Sequence, residues 1–476
     1  MISHIGNRTS NINIINKLRA IYVFFGILWY NILSKVDKKK SQNINEERYF
    51  MSKIVLGISK LALKVASLIG KGSGSPGQLA LKLSPNFLHK FNVPKKVIMV
   101  TGTNGKTSVT KYIVDFYRAC GYEVTTNDNG ANVYIGITTT MIKYSGFSMN
   151  VPGDVLVLEV DEGNLGKISE AIHPGKIVIT NLFQDQVDRF GGAKELAEKM
   201  AKSFPNGSAL FVNGDDPMAS YLASLVENEK TYYSVDCPDA GCFVEVKCPK
   251  CGRKLEYSER VYDHLGMFNC SCGYAHQTPD FVAENVHGRD FTLAGRKYKA
   301  PEDAIYMVYN STAALSVGLS DNLSEEKMYE VLSTIKVGNG RLQRFKFNGH
   351  DSFLNLVKNP AGANLSIDLV AKSHVPYNLL IGINRHEADG VDDSWIASIL
   401  FEQLKGSPLN SVYVLGESAD LLEKVISERL PGHEVIKGDA NSLISQMEAD
   451  GNAGYFLANY TMLAGVKSAL KVKNYL

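Results

Sequence analysis

A glycine-rich segment at residues 101–108 has the residue types that bind nucleotide phosphates. It reads Thr-Gly-Thr-Asn-Gly-Lys-Thr-Ser and follows a short apolar run. Backbone N–H groups around Gly102 and Gly105 could close on phosphate oxygens, and the N-terminus of a following helix would favour their negative charge. Lys106 would reach the outer phosphates, and the Thr107 hydroxyl would bind Mg²⁺. The segment predicts ATP binding, although two residues separate its glycines where the usual pattern has four.

Four cysteines have spacings suited to a single metal ion. Cys248 and Cys251 form a Cys-x-x-Cys pair, and Cys270 and Cys272 form a Cys-x-Cys pair further along the chain. In a large chain without a cleavable signal peptide, such a cluster indicates metal binding rather than disulfides. Four thiolates suit a closed tetrahedral zinc site, which leaves no position for a catalytic water. We therefore predict a structural zinc ribbon.

The surroundings of this cluster leave the ligand set partly open. Cys242 could replace one ligand, and Cys237 is a more distant candidate. A set of buried reduced thiols is the alternative to a metal site. Residues 237–274 carry five Lys and Arg against five Asp and Glu, so the ribbon has no basic face for nucleic acid.

The elements that must position these residues alternate between short apolar runs and helical patterns. One series of runs lies at 97–100, 155–160, 177–180 and 209–212, and a second lies at 378–383, 411–415, 433–436 and 455–458. Such alternation predicts mainly parallel sheets covered by helices. After the glycine-rich segment, apolar residues recur with helical spacing, at positions 109, 112, 113, 116 and 117. We predict an α/β fold with a P-loop ATPase domain and a separate Rossmann-like domain.

Composition excludes several classes of protein. The 476 residues are 45% hydrophobic and 21% charged, which is ordinary for a globular protein, and the net charge of +2 gives no reason to expect nucleic-acid binding. No apolar run reaches the ~20 residues of a membrane-spanning helix. The first 50 residues carry a net charge of +5 around a mostly apolar stretch. We expect them to be a poorly ordered or untranslated extension rather than a membrane-surface anchor.

Several motifs, in chain order, resemble those of the Mur ligase and folylpolyglutamate synthase superfamily. The short glycine-rich loop is the first. Glu159 ends an apolar run where the superfamily has a metal-binding carboxylate, and Thr180-Asn181 opens a segment similar to its Thr-Asn…Asp-His-Leu-Asp motif, with Gln186 in place of the His. Asn310 lies where an Asn contacts adenine, and Arg341 lies where an Arg approaches the nucleotide phosphates.

This resemblance implies ATP and Mg²⁺ as ligands of the central domain. Thr107 and Glu159 would bind the magnesium ion. The nucleotide would contact Gly102, Thr103, Asn104, Gly105, Lys106, Thr107, Asn310 and Arg341. Enzymes of this superfamily phosphorylate a carboxylate and let an amine attack the acyl phosphate.

Two features resemble the MurT family, the ligase subunits of MurT–GatD lipid II isoglutaminyl synthases. One is the four-cysteine ribbon inside a Mur-type core. The other is residues 389–395, Asp-Gly-Val-Asp-Asp-Ser-Trp, similar to the family's Asp-Gly-x-Asp-x-Ser-Trp motif. The resemblance implies ATP-dependent amidation of the α-carboxylate of D-isoglutamate in lipid II to D-isoglutamine. It also implies ammonia from a separate GatD-type glutamine amidotransferase in a heterodimer, at the inner face of the bacterial membrane.

In this family the ligase subunit is thought to lend an aspartate to the Cys–His pair of the amidotransferase. We expect Asp392 to be that aspartate, with Asp389 and Asp393 as the other candidates. A buried carboxylate would orient the His and stabilise its cationic form. The alternative for Asp392 is a cap on the turn that enters Ser394-Trp395.

The expected domain organisation follows from these motifs. Residues 1–50 are the extension, 51–92 a helical lead-in, 93–343 the ATP-binding domain with the ribbon at about 240–280, and 344–476 the Rossmann-like domain. One alternative function is a Mur or folylpolyglutamate ligase that adds an amino acid. Typical Mur ligases carry an Asp-Tyr-Ala-His-Asn-Pro segment in the C-terminal domain, whereas residues 356–362 of this chain read Leu-Val-Lys-Asn-Pro-Ala-Gly, so the Asp-Tyr-Ala-His part is missing. Another is an inactive scaffold, which an intact Lys106 and Glu159 argue against.

Overall fold

The computed structural model describes residues 44–69, 75–127, 130–182, 192–238, 243–335, 342–386, 389–473 and 475–476. The chain divides after Gly57 into two units. Residues 44–57, the start of the first helix, belong to the first unit, and every other element belongs to the second. Within the described ranges, no helix has both the length and the apolar character needed to cross a membrane.

Helices and strands alternate along most of the chain. The strands are β1 (Lys96–Thr101), β2 (Val124–Thr126), β3 (Val155–Glu159), β4 (Lys176–Ile179), β5 (Ala209–Asn213), β6 (Lys230–Val235), β7 (Glu256–Tyr262), β8 (Leu265–Asn269), β9 (Phe281–His287), β10 (Asp290–Leu293), β11 (Arg296–Lys299), β12 (Gln343–Phe347), β13 (His350–Leu356), β14 (Tyr377–Gly382), β15 (Leu409–Leu415), β16 (Val435–Lys437) and β17 (Ala453–Ala458). The helices are α1 (Ile44–Ile69), α2 (Ser75–Leu83), α3 (Lys106–Ala119), α4 (Tyr134–Tyr144), α5 (Leu165–Ala171), α6 (Ala193–Lys202), α7 (Pro217–Ser224), α8 (Ile305–Ser320), α9 (Glu325–Thr334), α10 (Pro360–Ala371), α11 (Ala419–Arg429), α12 (Ala440–Ala449) and α13 (Tyr460–Val472).

The strands form three sheets. The largest has nine strands in the order β11-β10-β9-β6-β5-β4-β1-β3-β2 and is parallel from β2 to β9. A six-stranded sheet has the order β12-β13-β17-β14-β15-β16, with only β12 antiparallel to its neighbour. Strands β7 and β8 pair with each other as an antiparallel hairpin. The predicted α/β fold with mainly parallel sheets is confirmed.

Helix α3 shows why this sequence folds against the large sheet. Its buried residues include the five apolar positions whose spacing predicted the helix, Val109, Tyr112, Ile113, Phe116 and Tyr117. Burying each such side chain contributes about 1.5–3 kcal/mol. Gly121 follows the helix with φ +92°, a conformation that favours glycine at this position.

The parallel sheet determines where the functional loops lie. Strands β5, β4, β1 and β3 lie side by side in that order and run in the same direction, so their carboxyl ends share one edge. Ligands of open α/β sheets bind outside that edge. The loops that follow β1 and β4 carry the glycine-rich segment and Thr180-Asn181, and β3 itself ends at Glu159.

Candidate functional site

The glycine-rich loop lies between β1 and α3 and is closely packed. Gly102 has φ +125°, and a Cβ there would lie 2.2 Å from Thr180 Oγ1. Gly105 has φ +85°, and a Cβ there would lie 2.3 Å from Asn310 Oδ1. Only glycine fits both positions without displacing a neighbour. The same contact places the predicted adenine-contacting Asn310 directly against the loop.

Thr180 and Asn181, which follow β4, hold this loop in place. The backbone N–H of Thr103 donates to the Asn181 carbonyl at 2.9 Å, and that of Asn104 donates to Asn181 Oδ1 at 2.8 Å. The Thr180 hydroxyl donates to the Asn104 carbonyl at 2.6 Å, and Asn181 Nδ2 donates to the same carbonyl at 3.0 Å. The resemblance of this segment to the superfamily therefore has a structural basis, since its side chains shape the loop.

Lys106, the first residue of α3, points its ammonium back across the loop. Its Nζ donates to the carbonyls of Gly102 and Thr103 and forms an ion pair with Glu162 at 3.2 Å. Burial raises the pKa of Glu162, while the Lys106 charge opposes that rise. Sequence reasoning missed Glu162, whose only signal was its position three residues after Glu159.

Glu159 is the last residue of β3 and is only 6% exposed. Its Oε1 accepts a hydrogen bond from Asn132 Nδ2 at 3.0 Å, and its backbone N–H and carbonyl both bond the Asn127 side chain. Glu159 and Thr107 line the same cavity. A buried carboxylate and a hydroxyl are oxygen ligands of the kind that Mg²⁺ prefers, so the two residues fit this ion.

One cavity of about 420 Å³ brings most of the predicted residues together. Its lining includes the loop residues Thr103 to Thr107, Glu159, Asn310 and Asp389. Residues 262–265, at the turn between β7 and β8, form another part of the wall. Three separate regions of the fold thus enclose a single site.

The six-stranded sheet contributes two further residues, which follow β13. Lys358 Nζ donates to the Thr103 carbonyl at 3.1 Å. The side-chain amides of Asn104 and Asn359 donate to each other at 3.3 and 3.2 Å, and Asn359 Oδ1 also caps α10 by accepting from the Gly362 N–H. Lys358 and Asn359 lie in the segment where typical Mur ligases carry Asp-Tyr-Ala-His-Asn-Pro, and they contact the phosphate loop directly.

The four predicted zinc ligands lie at the base of the β7–β8 hairpin. Their sulfur atoms are all within 4.8 Å of one another, with Cys248 and Cys272 3.7 Å apart and Cys251 and Cys270 3.5 Å apart. Tetrahedral Zn–S bonds of ~2.3 Å place sulfur atoms about 3.8 Å apart. The arrangement therefore fits one zinc ion.

The turn between these strands is held by a buried charged group. His264 Nε2 lies 3.3 Å from Asp216 Oδ2, and its Nδ1 lies 2.9 Å from Asp263 Oδ2. Burial lowers the pKa of His264, but the hydrogen bonds to Asp216 and Asp263 outweigh it and raise the pKa to about 10. The imidazole is therefore cationic at neutral pH and donates from both nitrogens.

The three candidate aspartates of the Asp-Gly-Val-Asp-Asp segment have different surroundings. Asp389 lines the cavity and accepts hydrogen bonds from the backbone and side chain of Thr461. Asp393 accepts from the Ser418 hydroxyl at 2.8 Å. Asp392 lies outside the cavity lining and accepts from the Ser394 N–H at 2.8 Å, so the turn cap expected as its alternative role is present. Hydrogen bonds from Ser394 lower the pKa of Asp392.

Some predicted residues lie outside the described ranges. These are Arg341, Cys242, residues 185–188 and nearly all of the first 50 residues.

Comparisons with known proteins agree with this geometry. Residues 100–241 match the Mur ligase middle domain family, and residues 356–463 match the MurT ligase C-terminal family. The MurT subunit of the lipid II isoglutaminyl synthase (glutamine-hydrolyzing) of Staphylococcus aureus (strain COL) is 30% identical over 77% of this chain and 85% of its own length. The MurT subunit of Streptococcus pneumoniae (strain ATCC BAA-255 / R6) is 28% identical over 85% of this chain and 94% of its own.

Solved structures share the fold. A pseudomurein peptide ligase type C from Methanothermus fervidus has a TM-score of 0.67 at 19% identity and covers 82% of this chain and 81% of its own. MurF from Acinetobacter baumannii has a TM-score of 0.60 at 14% identity, over 83% of this chain and 80% of its own. The sequence relatives and the two matched family domains, together with the cavity and the ribbon, show that the chain belongs to the MurT family of ATP-dependent Mur-type ligase subunits.

Proposed function

We propose that this chain amidates the α-carboxylate of D-isoglutamate in the lipid II stem peptide, giving D-isoglutamine through an acyl phosphate. The observation that carries the proposal is the single cavity shared by the phosphate loop, the buried Glu159 and the C-terminal residues Lys358 and Asn359. Membership of the MurT family supports the substrate, because the relatives are named as subunits of lipid II isoglutaminyl synthase.

The proposal gives distinct roles to the site residues. The loop N–H groups and Lys106 would hold the phosphates of ATP, and Asn310 would take the adenine contact that the superfamily resemblance implies. Arg341, which lies outside the described residues, is assigned to the nucleotide phosphates by that resemblance alone. Thr107 and Glu159 would hold Mg²⁺. Lys358, which donates to the Thr103 carbonyl at 3.1 Å, brings a second positive charge to the phosphate end of the cavity. Positive charge there stabilises the charge that develops on the transferred phosphoryl group.

The chemistry needs two displacements. When bound, ATP supplies the phosphoryl group that makes the carboxylate reactive. An oxygen of the carboxylate bonds to the γ-phosphorus as the bond to ADP breaks. The ammonia nitrogen then bonds to the carbonyl carbon, loses a proton, and phosphate leaves with the former carboxylate oxygen.

We assign the ammonia source to a GatD-type glutamine amidotransferase in a heterodimer with this chain. Asp392 would complete its catalytic Cys–His pair, with Asp389 and Asp393 as the other candidates. Two observations favour Asp392. It follows Val391, an apolar residue that is 65% exposed, and its carboxylate accepts a hydrogen bond from Ser394, two residues away in the same segment. Asp389 and Asp393 instead accept hydrogen bonds from other elements of the chain.

The remaining assignments concern zinc, domains and location. Zinc on Cys248, Cys251, Cys270 and Cys272 would be structural, because four thiolates leave no open position. We propose that residues 93–343 form the ATP-binding domain and residues 344–476 the C-terminal domain.

Because the proposed substrate is a lipid, the protein would act at the inner face of the bacterial membrane.

The test is amidation of lipid II by the chain purified together with its amidotransferase, with either glutamine or ammonium as nitrogen source. Lys106→Ala should abolish the reaction with both sources. Asp392→Asn should abolish it with glutamine and leave it intact with ammonium, whereas Asp351→Asn, which changes an exposed carboxylate on β13 of the C-terminal domain, should change neither. Glutamine-dependent amidation by Asp392→Asn at the normal rate would refute the role of Asp392.

A further inference from the structure

The tip of the β7–β8 hairpin is buried, although turns between strands usually face solvent. The side chains of Asp263 and His264 are only 7% and 10% exposed. Both residues line the cavity together with Tyr262 and Leu265. The ribbon thus reaches the same cavity as the phosphate loop.

Hydrogen bonds fix the ribbon to the turn that follows β5. The Asp216 carboxylate accepts a hydrogen bond from His264 Nε2, and Asp215 Oδ1 accepts one from His276 Nε2 at 2.8 Å. The Gly266 N–H donates to the Asp215 carbonyl at 3.1 Å. The side chains of both aspartates and both histidines are at most 10% exposed, and buried hydrogen bonds of charged groups are among the stronger ones. The hairpin tip is therefore held in a defined position against the large sheet.

The same wall carries aromatic side chains. Tyr262 meets Tyr309 edge to face, with ring centroids 5.7 Å apart, and the Tyr309 hydroxyl donates to Asp215 Oδ2 at 2.7 Å. Tyr309 precedes Asn310, which contacts Gly105 of the loop. Aromatic faces, an amide and a carboxylate suit a purine nucleoside, while the loop suits phosphates.

We propose that the hairpin tip of the ribbon binds the nucleoside part of ATP, with Asp263 as a hydrogen-bond acceptor for it. The proposal rests on the ATP site described above. An ionised carboxylate only accepts hydrogen bonds, and the donors of adenosine are its ribose hydroxyls and its 6-amino group. Asp263 Oδ2 accepts from His264 and Oδ1 provides the second acceptor, so His264 is a positioning residue.

The metal site lies at the other end of the same hairpin. Five residues of β8 separate His264 from Cys270, which corresponds to about 17 Å of extended chain. A zinc ion on the four cysteines would fix the base of the hairpin and, through β8, its tip. Zinc loading should therefore increase nucleotide affinity without any contact between metal and nucleotide.

The test is the dissociation constant of nucleotides for the full chain in complex with its amidotransferase. Asp263→Asn should weaken ATP binding by about tenfold to a hundredfold, as expected for a lost hydrogen bond to a charged group. The loss should shrink with the nucleotide that lacks the relevant donor, either dideoxy-ATP or inosine triphosphate. Glu245→Gln, an exposed carboxylate in the same ribbon, should bind ATP normally.

Two results with Asp263→Asn would overturn the proposal. One is unchanged ATP affinity in Asp263→Asn. The other is an equal loss for all three nucleotides. If Asp263→Asn fails to fold, the wild-type chain stripped of metal by a chelator decides the matter, since it should bind ATP more weakly and recover on addition of zinc. Unchanged affinity after complete stripping would overturn it.

Failure of this proposal is distinguishable from failure of the ATP site itself. If Lys106→Ala loses ATP binding while Asp263→Asn keeps it, only the role of the hairpin tip is wrong. If Lys106→Ala retains normal ATP binding, the phosphate-loop assignment is wrong.

Discussion

Replacing Asp216 by Asn is the most severe test of the buried network that His264 forms with Asp216 and Asp263. The Asp216 side chain is 0% exposed. Its Oδ1 accepts from the N–H groups of Met218 and Ala219 at 2.7 and 2.9 Å, and its Oδ2 accepts from the Leu182 N–H at 2.8 Å and from His264. Asparagine has nearly the same size but presents an amino group in place of one oxygen. That amino group would then face either the N–H groups of Met218 and Ala219 or the donors of Leu182 and His264, and donors cannot bond to one another.

The expected loss is large. A buried donor left without an acceptor costs about 1–3 kcal/mol, and removing one partner of a buried ion pair costs about 3–5 kcal/mol. We expect Asp216→Asn to lower the free energy of unfolding by about 3–5 kcal/mol at pH 6. Asp368→Asn, which removes a partly exposed helical ion pair with Lys372, should lower it by no more than ~0.5 kcal/mol.

The pH dependence gives an independent signature. His264 has a folded-state pKa of about 10 against an ordinary value of 6.5. A raised histidine pKa stabilises the folded state fully below pH 6.5, and this stabilisation is lost as the pH rises towards 10. At 1.36 kcal/mol per pH unit, the shift corresponds to roughly 5 kcal/mol. The difference in free energy of unfolding between wild type and Asp216→Asn should therefore become smaller as the pH rises from 6.5 to 10.

Urea unfolding followed by circular dichroism and tyrosine fluorescence measures the stability change. A chain of this size need not unfold in one step, so wild type and Asp216→Asn are compared in the unfolding transition that both probes detect. The His264 pKa itself can be read from the pH titration of its imidazole ring by NMR, assigned with His264→Gln. A stability loss below 1 kcal/mol, or an imidazole that titrates below pH 7, would refute the reasoning.

Three further substitutions test other parts of the site. Gly102→Ala should weaken ATP binding at least tenfold, because its Cβ would meet Thr180 and Asn181. The control Gly121→Ala has a similar positive φ but open space around its Cβ, so it should only destabilise the fold by about 1–2 kcal/mol. Equal ATP affinity in both variants would contradict the close packing around Gly102. Glu159→Gln should lower amidation about a hundredfold, and should abolish the effect of Mg²⁺ on ATP affinity; calorimetry with and without the ion checks this. Cys270→Ser should lose the bound zinc measured by mass spectrometry, while Cys120→Ser, outside the ribbon, should keep it; equal zinc content would contradict the ligand set.

Local patterns predicted the parts of the site that are contiguous in the chain. The apolar run before the glycine-rich segment and the helical spacing after it predicted the strand, loop and helix around Lys106. The cysteine spacing predicted a group of sulfur atoms that the structure brings within 4.8 Å. These features depend on periodicity and on ligand spacing, which neighbouring residues determine.

Contacts between distant segments could not be read from such patterns. Asp263 and His264 are polar residues in a two-residue turn, which predicts a solvent-exposed loop, and their burial depends on Asp216 from another part of the chain. Nothing in the sequence around Lys358 and Asn359 predicts their contacts with Thr103 and Asn104, because those contacts span 255 residues. The antiparallel strands β9 to β11 at the edge of the large sheet also escaped prediction, since their alternation of polar and apolar residues is weak.

Activation of the substrate carboxylate as an acyl phosphate can be measured directly. The experiment uses lipid II whose D-isoglutamate α-carboxylate carries the heavy stable isotope of oxygen, with the chain and its amidotransferase, glutamine and ATP. We predict one labelled oxygen in inorganic phosphate for each D-isoglutamine formed, and neither product with Lys106→Ala. Amide formation with no label in phosphate would contradict it.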